Sequence, residues 1–163
     1  MVALFGPATL LVAAAPAGAL RNVSGSNTYG GLISLGSSST IQSDAGLLTL
    51  SASTAVNGTG DLTIAGAGDT LISGIIATGT GGLNKTGTGT LTLSGDNSGF
   101  TNNINLLNVT LVLAAPNATG QGTLVWSNGA VAFSGVSAVT LGGLATAGAA
   151  RLCTQHGLVL RVK

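Results

Sequence analysis

Few side chains in this sequence carry reactive groups, and they do not cluster. Asp44, Asp61, Asp69 and Asp96 are the four carboxylates, and Glu is absent. Two carboxylates flanking a sugar bond suffice for glycoside hydrolysis. Here each Asp stands beside Gly, Asn or Ser, the company of a turn residue. Lys85 offers an amine that would act as a base if buried; its place in the repeat described below reads more simply as a solvated flank. Cys153 and His156 are the single Cys and His of the chain. C-x-x-H is half of a zinc site, with no further soft ligand to complete four, and a Cys–His pair needs a third group to orient it. Residues 66–71 partly match a calcium-binding nonapeptide, which requires successive copies to share an ion. Thr86, Thr88, Thr90 and Thr92 alternate, as in ice-binding ladders and also as in ordinary exposed strands. Trp126, Phe133, Tyr29 and Phe100 would suit either a sugar-stacking platform or core and corner filling; Trp126 and Tyr29 are the candidates for surface binding. No catalytic, cofactor-binding or metal-binding residue is assigned.

The elements that must position these groups follow from composition. Of 163 residues, 6% are charged, 45% hydrophobic and 3% aromatic, and 27 are Gly. An ordinary soluble domain is about 25% charged and about 7% Gly. A helical bundle with charged wet faces is excluded, and a net charge of +1 provides no basic stripe for nucleic acid. The charge is uneven. Arg151, Arg161 and Lys163 fall in the last thirteen residues, leaving residues 1–150 at a net −2. A single Cys allows no internal disulfide.

Apolar residues recur at a period of two. Leu48-Thr49-Leu50, Leu62-Thr63-Ile64, Leu91-Thr92-Leu93 and Val109-Thr110-Leu111-Val112-Leu113 each set Leu, Ile or Val on one face and mostly Thr on the other. Further strands are expected at residues 32–35, 40–43, 70–76, 104–107, 123–126, 130–133 and 139–141, bounded by Gly, Asn, Asp and Ser. Internal similarity accompanies them. Residues 58–66 align with 87–95, residues 120–125 repeat the opening, and residues 24–29 align with 94–100. Irregular repetition of short strands predicts an all-β, right-handed parallel β-helix of roughly 6–8 turns, with coils of about 20–25 residues. Three regions are expected. Residues 1–19 form an apolar segment, signal-like in its Ala17-Gly18-Ala19 but without a basic start, or a first coil. Residues 20–150 form the repeat region. Residues 151–163 form an off-pattern basic tail, read as a frayed or foreign end of the kind a truncation or frameshift produces.

Residues 82–97, Gly-Leu-Asn-Lys-Thr-Gly-Thr-Gly-Thr-Leu-Thr-Leu-Ser-Gly-Asp-Asn, carry a pattern of Leu83, Lys85, Gly87, Gly89, Thr90, Leu91, Leu93, Ser94, Gly95 and Asn97. This closely resembles the autotransporter-associated β-strand repeat, also called the passenger-associated transport repeat. The likeness extends over about residues 20–135. It departs at Asn102 and at Asn108-Val109, where Gly and Gly-Thr are usual. The resemblance implies a parallel β-helical passenger segment, secreted or displayed at a bacterial surface, that supports passenger folding and export without catalysis. With so few aromatics the chain does not supply a membrane β-barrel translocator, so any membrane attachment would run through a separate one. Self-association through open solenoid ends is expected. An adhesin recognising glycan or a host surface is the second reading, and a β-helical carbohydrate-active enzyme the third.

Overall fold

A computed structural model describes residues 10–12, 19–153 and 157–163. Among them lie seventeen strands and no helix: β1 (Leu10–Val12), β2 (Leu20–Asn22), β3 (Ser26–Tyr29), β4 (Ile33–Leu35), β5 (Ser39–Ser43), β6 (Leu47–Leu50), β7 (Thr54–Gly58), β8 (Leu62–Ala65), β9 (Asp69–Ile72), β10 (Ile75–Ala77), β11 (Leu83–Lys85), β12 (Leu91–Leu93), β13 (Ile104–Leu113), β14 (Thr123–Phe133), β15 (Ala138–Leu141), β16 (Gly143–Cys153) and β17 (Val159–Val162). Every pairing is parallel, and together they stack into a β-solenoid of about seven turns. At roughly 4.8 Å per rung the stack is about 30–35 Å long.

Register aligns side chains into columns. On the first face, Leu20, Ile41, Ile64, Lys85, Leu106, Trp126 and Thr146 lie one above another. On the second, Tyr29, Leu50, Ile72, Leu93, Leu113 and Phe133 do the same. The third face stacks Ile33, Val56 and Ile76, with the β1 backbone paired to β4 before them, and β15 and β17 close it at the far end. The inward columns form one continuous apolar core. Each buried Leu or Ile contributes about 1.5–3 kcal/mol relative to exposure. Outward positions hold Thr40, Thr63, Asn84 and Asn105 on the first face, in the same period-two alternation read from the sequence.

Corners require close approach of successive coils. Gly66 (φ 103°) and Gly87 (φ 74°) stack above Ser43, and a Cβ on either would meet the backbone of the coil before it. Beyond residue 100, the corner between the first two faces shortens to one or two left-handed residues. Asn108 (φ 54°), Asn128 (φ 57°) with Gly129 (φ 99°), and Gly148 (φ 70°) occupy it in three successive coils. Asn tolerates the left-handed region better than other residues with a Cβ, so β13, β14 and β16 run unbroken through the bend. This explains Asn108 where the repeat usually has Gly.

Several expectations change in the structure. Residues 58–66 and 87–95 are not equivalent coils: Leu62 and Ile64 stack on Leu83 and Lys85, whereas Leu91 and Leu93 stack on Thr70 and Ile72. Their offset is one coil plus one face, so what recurs is a corner followed by a strand. Residues 70–76 are not one strand; Ser73-Gly74 breaks them into β9 and β10 on different faces. The composition change at residue 151 is not a structural boundary, because Arg151–Cys153 completes β16 and Val159–Val162 pairs with β15. The signal-like reading of residues 1–19 falls outside the described residues, except for Leu10–Val12, which pairs with β4, and Ala19.

Gly89 sits where an added Cβ would strike the backbone of Gly68, whereas nothing lies within 4 Å of the Cβ position at Gly99. Gly89→Ala is expected to cost about 1–3 kcal/mol through overpacking and Gly99→Ala less than about 0.5 kcal/mol. Urea denaturation of the two variants would check this, and equal midpoints would contradict the corner model.

Candidate functional site

The repeat motif at residues 82–97 traces most of one coil. Leu83 and Lys85 point inward from β11, Gly87 and Gly89 turn the first corner, and Leu91 and Leu93 point inward from β12. The Ser94 N–H donates to the Ile72 carbonyl at 3.0 Å, and Gly95 passes so close to Gly74 that a Cβ would collide with it. Thr90 opens β12 by donating its N–H to the Asp69 carboxylate at 2.8 Å. Each motif residue therefore meets either the core or an adjacent coil.

Lys85 is the largest correction. It is not a solvated flank but 1% exposed, in the inward column between Ile64 and Leu106. Its ammonium donates to the carbonyls of Thr86 at 2.6 Å and Gly87 at 3.1 Å. The aliphatic stem thus continues the apolar column while the charge binds the corner that follows. Burial pushes the ammonium below its usual pKa, and the Asp69 carboxylate partly opposes this. Charge in a dry interior is costly even when hydrogen-bonded.

Asn97 splices the third face where no strand continues it. Its side chain is 1% exposed. Oδ1 accepts from the Ile76 N–H at 2.8 Å, one coil before, and Nδ2 donates to the Ala118 carbonyl at 2.7 Å, one coil after. A side-chain amide carries one acceptor and one donor group, as a peptide unit does. Asn97 accordingly takes the place of a missing rung between β10 and the 117–120 turn. The ladder resumes where the Thr140 N–H donates to Pro116 O at 2.9 Å.

The carboxylates are corner residues. Asp61 accepts from the Gly82 N–H at 2.7 Å, and Asp96 accepts from the Ser98 N–H at 3.0 Å in its own turn. Asp44 pairs with Arg21 at 2.6 Å and accepts from Gln42, and these bonds hold its carboxyl below the usual range. The described residues contain no group of three or more His, Cys, Asp or Glu placed to hold a metal. Cys153 is exposed, and its partner in the C-x-x-H pair, His156, lies outside the described residues.

The structure also relocates the aromatic and Thr candidates. Trp126 and Tyr29 are 3% and 6% exposed and belong to the core, so neither presents a ring to a sugar. Thr90 and Thr92 face outward from the second face, but the rung before them carries Asp69 and Leu71, which interrupts any Thr ladder. Sequence reasoning missed the Asn interactions. Asn22 donates to Ser43 Oγ at 3.1 Å and accepts from Asn27 at 2.6 Å; Asn105 donates to Asn84 at 2.8 Å across neighbouring coils. The Asn84–Asn105 separation of 21 residues equals that of Leu83 and Ile104 in the ladder. That shared spacing is the signal that would have found it.

Comparison with protein-family models, curated proteins and solved structures returns no match. The likeness to the autotransporter-associated repeat rests on the motif residues themselves.

Two outcomes follow from this geometry. Asn97→Ala leaves a buried N–H and a buried carbonyl without their partners and is expected to cost about 2–4 kcal/mol, read as a lower thermal midpoint. For Lys85, the unfolded chain binds more protons than the native one between the lowered pKa and 10.5. Stability should therefore rise with pH across that window. Lys85→Met should abolish this rise and be neutral or stabilising at pH 7. Urea midpoints of both proteins across alkaline pH provide the check; parallel curves would contradict it.

Proposed function

We propose that this chain is a non-catalytic structural segment of a bacterial passenger of the autotransporter-associated repeat type, secreted or displayed at the cell surface. Its work is mechanical: stacked coils hold whatever is attached to them at a distance and help it fold as it emerges. One observation carries the reading. The residues with the chemistry to form a site, Lys85, Asp69 and Asn97 among them, each bond to backbone that turns a corner or joins adjacent coils. Side chains employed in this way favour a scaffold over an enzyme. An adhesin would have to use the outward Thr and Asn rows, because Trp126 and Tyr29 belong to the core.

Antibodies raised against the folded chain should label intact cells that produce it, and a glycan array should give no reproducible hit. Labelling only after lysis would refute surface display. A glycan hit lost on Asn84→Ala/Asn105→Ala would replace the scaffold with an adhesin.

A further inference from the structure

The outward rows of the second face carry little charge and much apolar surface. Over five successive coils, from β6 to β14, one outward row reads Leu47, Asp69, Thr90, Thr110 and Ala130. The next reads Thr49, Leu71, Thr92, Val112 and Ala132. A third row, one step beyond the last inward residue of each strand, reads Ser51, Ser73, Ser94, Ala114 and Ser134. Every one of these residues is partly or fully exposed. The rows hold no aromatic side chain, and their one charged group, Asp69, already accepts from the Thr90 N–H. The first face differs, with Arg21, Gln42, Asn84 and Asn105 on its outward rows.

Side-chain size falls along this face, from Leu47 and Leu71 through Val112 to Ala130 and Ala132. A surface graded in this way complements itself when turned over. Consider two chains related by a two-fold axis that runs parallel to β12 between their second faces. Each coil then meets the coil equally far on the other side of β12. Leu47 lies opposite Ala130, Thr49 opposite Ala132, and Leu71 opposite Val112, so bulk meets small side chains. With the stacks parallel instead, Leu71 would meet Leu71 and Ala132 would meet Ala132, which splays the sheets on one side and leaves a gap on the other. Charge agrees with the antiparallel pairing. The two Asp69 carboxylates would stand about 10 Å apart along the stack and about 10 Å across the interface, farther than the Debye length at physiological salt. The area is also sufficient. Five rungs of about 4.8 Å by about six residues of about 3.3 Å give roughly 500 Å² on each chain. The total, roughly 1,000 Å², is the lower limit of a specific interface and suits a weak, reversible one.

We infer that the second face is a self-complementary docking surface through which two copies of this chain pair side to side, with their stacks antiparallel and Leu71 of each against Val112 of the other. Pairing of this kind uses the middle coils alone. It is independent of where the chain is displayed, so failure of one reading leaves the other standing.

Sedimentation equilibrium of the full 15.6 kDa chain tests this. A monomer–dimer equilibrium that stops at two chains is expected, with a Kd of about 1–100 μM. Leu71→Lys and Val112→Glu should each weaken it by about tenfold. An equal mixture of these two variants should recover most of the loss, because one contact then sets lysine against glutamate and the other is unaltered. Thr92→Lys sets two lysines against each other on the axis; it should weaken pairing at least as much, and it serves if either of the others fails to fold. Thr63→Lys, on an outward row of the first face, should leave the dimer unchanged. A chain that stays monomeric up to about 1 mM would overturn the inference, as would growth beyond two chains. So would a mixture no tighter than the separate variants, or equal loss with Thr63→Lys. Co-sedimentation of a monomeric chain with powdered cellulose, lost in Leu71→Lys, would assign the face to an ordered glycan instead.

Discussion

The parallel backbone ladder between successive coils governs everything else in this molecule. Once strands pair in register at roughly 4.8 Å, every inward position acquires a neighbour one coil before and one coil after. Any residue placed there is packed by those neighbours and not by its own sequence context. An aliphatic side chain is not needed at each rung, only one whose shape and polarity suit the column: Lys85 lies between Ile64 and Leu106, and Thr70 between Leu48 and Leu91. The same closeness leaves no space for a Cβ at Gly66 or Gly87, which is why Gly is so abundant in a chain with so few charges.

Where the ladder fails, side chains restore it. Asn97 bridges Ile76 and Ala118 in place of a strand, and Asp61 and Asp69 each cap an N–H of the next coil. Lys85 serves the same end from inside, its ammonium holding two carbonyls at a corner. Such polar groups add little stability by themselves when buried. They fix which residue turns the corner, and in a repetitive chain that choice of register would otherwise be weakly specified.

A β-solenoid built this way meets its surroundings through the outward rows of its faces. Its sides present short polar and small side chains, several of which tie adjacent coils together, as Asn105 does to Asn84 and Gln121 to the Ser98 carbonyl. Among the described residues, the Asn22–Asn27 hydrogen bond lies on the first coils, and Arg151, Arg161 and Lys163 are exposed on the last.

The sequence by itself determined the solenoid class, the approximate coil length and most strand positions. Alternation of Leu or Ile with Thr is a local property, and Leu62-Thr63-Ile64 or Leu91-Thr92-Leu93 announces it within three residues. The candidate site is legible only in part: the Asp residues read as turn residues and are, whereas Lys85 reads as exposed and is buried. The small residues of β16 hide a strand, and the offset of 29 hides the coil, because corner and strand recur on every face while the coil closes only every 20 to 23 residues. Only the tertiary structure decided which strand stacks on which. Burial of Lys85, Trp126 and Tyr29 depends on neighbours a full coil away, and the corner lengths that set those neighbours are fixed by packing between coils, not by any pattern along the chain.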